Sequence, residues 1–102
     1  MMHERAEEAL QKAVSEFINR ESNRRSMITV TGAALDRRGA HANVFISVFP
    51  EKDLRGALDF LNRNRDELKR YLKAHMALRA IPRVRFLPDP VLGGSIEPEK
   101  EA

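Results

Sequence analysis

Residues 4 to 20 place Ala6, Leu10, Ala13, Val14, Phe17 and Ile18 on one stripe of a 3.6-residue helix, with polar residues between them. The pattern predicts a first amphipathic helix. Glu4, Glu7 and Glu8 fall in its first turns, where carboxylates favour the positive end of the helix dipole, and Lys12 follows Glu8 at i+4. The polar segment from Glu21 to Ser26 reads as a connection. Met27 to Ala34 then switches to a strand, with Ile28 and Val30 on one face and Thr29 and Thr31 on the other. Asp36-Arg37-Arg38-Gly39 has the Asp and Gly positions that a type I turn favours, so a hairpin is the simplest connection to the next strand. From Ala40 to Phe49 the alternation is clean: Ala42, Val44, Ile46 and Val48 on the face expected to meet the helices, and Asn43, Phe45, Ser47 and Phe49 on the other.

Pro50 to Asp53 opens the next helical pattern, in which Leu54, Ala57, Leu58, Leu61, Leu68, Leu72 and Met76 form a stripe interrupted at Arg65. The interruption predicts two helices meeting within Asn62-Arg63-Asn64-Arg65-Asp66, with Asp66 as a cap for the second. Ala80-Ile81-Pro82 ends the helical run, because Pro disfavours helix in the residue before it. Arg83 to Leu87 alternates again and predicts a third strand with Val84 and Phe86 inward and Arg83 and Arg85 on one outer face. Residues 1–88 are therefore expected to form one domain, and 89–102, with Gly93-Gly94 and Glu97, Glu99 and Glu101, a flexible acidic tail.

The distribution of charge changes this picture from a fold to a candidate function. Between Arg63 and Arg85 there are eight Lys or Arg against two acids, a local net charge of +6 on a chain of +3 overall, so the remainder carries −3. A regional excess of this kind in a small domain points to a polyanion, nucleic acid first. The candidate RNA-binding residues are Asn62, Arg63, Asn64, Arg65, Lys69, Arg70, Lys73, Arg79, Arg83 and Arg85, with Arg37 and Arg38 at the hairpin tip as further candidates. Lys and Arg would contact phosphates, and Asn62 or Asn64 base edges.

Composition narrows the alternatives. The chain has 102 residues, 42% hydrophobic and 32% charged, which suits a single globular domain. No apolar run approaches the roughly 20 residues of a membrane span, and no secretory signal is read at the N-terminus, so a cytoplasmic protein is expected. Without Cys there are no disulfides, thiol nucleophiles or Cys-based metal sites. His3, His41 and His75 lie far apart with no ligand spacing, and no phosphate-cradling Gly loop is present, so neither enzyme, metal nor cofactor is expected.

The order helix, strand, strand, helix, helix, strand is an α+β arrangement whose helices can cover one face of a three-stranded sheet, and it is the order of the type II KH fold. The chain also resembles the bacterial ribosome-binding factor A family. The resemblance is carried by Ile28-Thr29-Val30-Thr31-Gly32 with Asp36, by Ala42 to Val48, by Ala57-Leu58-Asp59-Phe60-Leu61-Asn62, by Leu68-Lys69-Arg70-Tyr71-Leu72, and by Ile81 to Phe86 with Asp89. It implies a monomeric, non-catalytic factor that binds the small (30S) ribosomal subunit and its 16S rRNA during maturation and assists 5′-end processing, with a ribosome-assembly GTPase as a candidate further partner. In that family the KH Gly-x-x-Gly loop is absent and the two later helices meet at an Ala-x-Gly kink; here Asn64-Arg65-Asp66 stands in that place, a departure from the family pattern, and the resemblance implies that Arg65 sits where RNA would be touched. A generic single-stranded nucleic-acid KH module and a protein-interaction domain using the exposed strand or the Phe45-Phe49 face are the competing readings.

Overall fold

The computed structural model describes residues 4–21, 26–78 and 80–91. They form α1 (Glu4–Glu21), β1 (Met27–Leu35), β2 (His41–Phe49), a 3-10 turn (Glu51–Asp53), α2 (Leu54–Arg63), α3 (Arg65–His75) and β3 (Arg83–Pro88). The order is the expected α-β-β-α-α-β. β2 is central, antiparallel to β1 and parallel to β3. A parallel neighbour requires a crossover, and α2 and α3 supply it.

One face of the sheet carries the core. Ala42, Val44, Ile46 and Val48 are buried as their alternation predicts, together with Val84 and Phe86 of β3 and Leu10, Ala13, Val14, Phe17 and Ile18 of α1. Leu54, Leu61, Leu68 and Leu72 bring α2 and α3 onto the same core. The rings of Phe17 and Tyr71 lie 5.6 Å apart between α1 and α3, with the Arg20 guanidinium over Tyr71. Polar side chains of α1 also reach the outer margin of β1: Glu7 accepts the Leu35 N–H at 2.8 Å, and the Gln11 amide lies 3.5 Å from the Val30 carbonyl.

The hairpin turn closes through the Gly39 N–H to the Asp36 carbonyl, with Gly39 at φ 71°, a left-handed conformation that glycine adopts without steric cost. The Asp36 carboxylate accepts the Ala40 and His41 N–H groups and faces His41 Nδ1 at 3.1 Å. That His41 contact is the main cause that holds the Asp36 carboxyl below its usual pKa.

Three details differ from the sequence reading. The β1–β2 register jumps between Val30, opposite Ile46, and Gly32, opposite Phe45, so Thr31 is an extra residue in a bulge. Beyond it the core-facing positions of β1 become Ala33 and Leu35 in place of the even-numbered Ile28 and Val30. Second, Asn64, not Asp66, occupies the junction between α2 and α3, and Asp66 lies inside the first turn of α3. The Asn64 side-chain amide donates to the Phe60 carbonyl at 2.7 Å, closing α2, while its own carbonyl accepts the Leu68 N–H and starts α3. Third, α3 ends at His75, before Ala80-Ile81-Pro82. Met76 is already extended, and the His75 ring stacks on Tyr71 at 4.0 Å while Nδ1–H donates to the Tyr71 carbonyl, a local closure of the last turn.

Asp89, assigned from sequence to the tail, is tied to the sheet: its N–H donates to Ile46, and its carboxylate meets the Thr31 hydroxyl. Residues 92–102 lie outside the described part.

Candidate nucleic-acid interface

On α3, Arg65, Lys69 and Lys73 recur at i, i+4 and i+8 and form one exposed row, while Leu68 and Leu72 beside them are buried and fix the helix to the core. The row borders a groove of about 530 Å³ between the first turns of α3, the Ala40–His41 end of the hairpin, and residues 81–84 leading into β3. Its apolar lining comes from Leu68, Leu72, Ile81 and Val84, and Arg65, Lys69, Arg83 and His41 stand around it with a single acid, Asp66. An open groove with a cationic margin suits a single strand, whose phosphates meet the rim.

The sequence-derived candidates separate into distinct groups. Arg65, Lys69 and Arg83 converge on the groove, and Lys73 continues their row. Arg85 lies further along β3, exposed on the outer face of the sheet opposite Asn43. Arg70 pairs with Glu67 at 2.9 Å on an exposed surface, an i,i+3 bridge weak enough to open for a phosphate. Arg63 is exposed at the end of α2, Arg37 and Arg38 are exposed at the hairpin tip, and Arg79 lies outside the described residues. His41 was missed as a groove residue. The missing signal is the parallel β2–β3 register, which sets His41 opposite Arg83.

The two asparagines do internal structural work. Asn62 donates its amide to the Phe86 carbonyl at 3.3 Å and accepts the Phe86 N–H at 3.1 Å, while Arg65 Nη1 lies 3.5 Å from the Val84 carbonyl. Together they occupy the outward margin of β3. Replacing Asn62 with Leu, close in size but unable to hydrogen-bond, strands both Phe86 groups and is expected to lower the unfolding free energy by about 1–3 kcal/mol. Urea denaturation measures this, and an unchanged midpoint would free the Asn62 amide for a role at the RNA.

Among the described residues no group of three or more His, Asp or Glu could hold a metal ion, and no helix is long and apolar enough to cross a membrane.

A helix ahead of a β-hairpin, a broken helix pair leading to a parallel third strand, and a basic groove beside the break define a type II KH-like domain. The chain belongs to the ribosome-binding factor A family, whose model, described as Ribosome-binding factor A, matches residues 2–100. It is 33% identical over 91 residues to ribosome-binding factor A of Carboxydothermus hydrogenoformans, covering 86% of this chain and 73% of that one. It is 31% identical over 88 residues to ribosome-binding factor A of Pseudomonas aeruginosa, covering 81% and 68%. The crystal structure of ribosome-binding factor A from Thermus thermophilus superposes with a TM-score of 0.77 at 30% identity, over 85% of this chain and 94% of that one. Coordinates of the Thermus thermophilus factor fitted into a cryo-EM map of its 30S complex give a TM-score of 0.68 at 31% identity, over 78% and 86%.

Proposed function

We propose that this protein binds the small ribosomal subunit through 16S rRNA during maturation and assists processing of the rRNA 5′ end by holding an RNA conformation, with no catalysis of its own. The observation that carries the reading is the convergence of Arg65, Lys69 and Arg83, drawn from two distant segments of the chain, on one groove. Membership in the family and the 30S placement of the Thermus thermophilus relative support the same partner. The α3 row binds phosphates without regard to sequence, and the subunit's shape supplies selectivity. The protein acts as a monomer in the cytoplasm, and a ribosome-assembly GTPase acts on the same subunit.

Co-sedimentation with purified 30S and 50S subunits, with unstructured RNA as competitor, tests this. Four phosphate contacts predict selective 30S association that weakens by about two orders of magnitude when salt rises from about 50 to about 300 mM. Equal association with every RNA would replace the assembly role with a generic nucleic-acid module, and no association would remove RNA as the partner.

A further inference from the structure

The helix-free face of the sheet has its own chemistry, which the groove does not use. The β2–β3 register aligns His41 with Arg83, Asn43 with Arg85 and Phe45 with Leu87 in successive rows, about 7 Å apart along the strands. The first row also lines the groove, so the two surfaces meet at His41 and Arg83. On the β1 side, the second row faces Ala34, and the third faces Gly32 together with the bulge residue Thr31, whose hydroxyl lies 3.3 Å from the Phe45 carbonyl. A Cβ built on Gly32 would lie 3.7 Å from the Phe45 ring, ordinary van der Waals contact, so the ring lies against β1 at Gly32. The result is an aromatic ring beside small residues and next to an exposed amide, Asn43, and an exposed guanidinium, Arg85. The nearby acids are engaged: Asp36 with His41 and the turn backbone, Asp89 with Thr31 and Val91.

The geometry points to a second RNA-contact surface on this face, where a single strand leaving the groove past Arg83 stacks a base on Phe45 and sets a phosphate against Arg85. It rests on the rRNA-binding reading of the groove and extends that reading to the opposite side of the sheet. Stacking on an aromatic ring is tolerant of sequence, and the Arg83-Arg85 spacing on one strand face follows the backbone of an extended chain. Two guanidiniums on one strand face beside an aromatic ring match the phosphates and bases of a single strand.

The test uses Phe45→Leu, which keeps an apolar cover over Gly32, and Arg85→Glu, which alters an exposed side chain. Each is assayed for affinity to an oligouridine and to 30S subunits, with a melting curve alongside. Each is expected to lose oligouridine affinity about fivefold or more, the lower end of one base–aromatic stack. In the wild-type protein, the amide resonances of Asn43, Phe45 and Arg85 should shift when oligouridine is added, a readout independent of any variant's folding. Unshifted resonances, or unchanged affinity in both variants while the wild type binds, would overturn the second surface and leave the groove standing. Weaker 30S binding with unaltered oligouridine affinity would assign the face to a ribosomal protein instead, also overturning it. Wild-type protein that binds neither probe removes the groove reading and this one together.

Discussion

Lys69→Glu combined with Lys73→Glu is expected to lower 30S affinity by at least about tenfold at low salt and to flatten its salt dependence by roughly 0.7–0.9 log units per decade of salt for each lost phosphate contact. Both lysines are exposed on the row that borders the groove, and neither joins an ion pair among the described residues. The substitution replaces two attractions with two repulsions at the same positions, so its effect on binding exceeds that of simple truncation. Its effect on folding is small. Leu68 and Leu72 still anchor α3, and surface changes of this kind usually stay within about 0.5 kcal/mol each. Co-sedimentation read against a melting curve separates the two quantities. Unchanged pelleting with 30S subunits would take the α3 row out of the interface.

Phe86→Ala has the largest expected effect on stability. The ring is only 2% exposed among the residues joining sheet and helices, and removing it leaves a cavity as well as lost burial. Such truncations cost about 3–5 kcal/mol, a large part of a small domain's stability. At roughly 4–8 °C per kcal/mol, the melting temperature should fall by about 15–30 °C. Phe86 is also the residue whose backbone Asn62 grips at both ends, so the loosened strand should become more protease-sensitive at β3. A loss below about 1 kcal/mol would mean that β3 does not close the core in the way described.

The legible parts of this chain were those with an uninterrupted period. The β2 alternation buries every residue it predicts and the α1 stripe buries all of its own from Leu10 onward, Ala6 in the first turn staying half-buried, because one face of each element meets the core. The interruption at Arg65 marked the helix break because a charged residue has no place on a buried stripe. In β1 a bulge after Val30 inserts one residue and reverses which parity faces inward; the isolated Gly32 inside the strand pattern is its one cue, and the faces assigned from alternation stopped at Thr31. The basic cluster was visible as a count, but its division was not. Arg65, Lys69 and Arg83 meet only because a parallel crossover returns β3 beside the start of β2, and that is a property of topology. Asn62 and Asn64 looked available for bases because sequence does not show which backbone groups they satisfy.

The side chains at the two margins of the sheet have a consequence for life in a crowded compartment. A three-stranded sheet has two raw flanks, each a template on which a stray extended chain could polymerise. Here Glu7 and Gln11 stand along one flank, Asn62 and Arg65 along the other, each occupying a backbone group that an invading strand would need. The fold thereby resists amyloid-like growth through the same helices that build its core, and its helix-free face can stay open without exposing the sheet to runaway assembly.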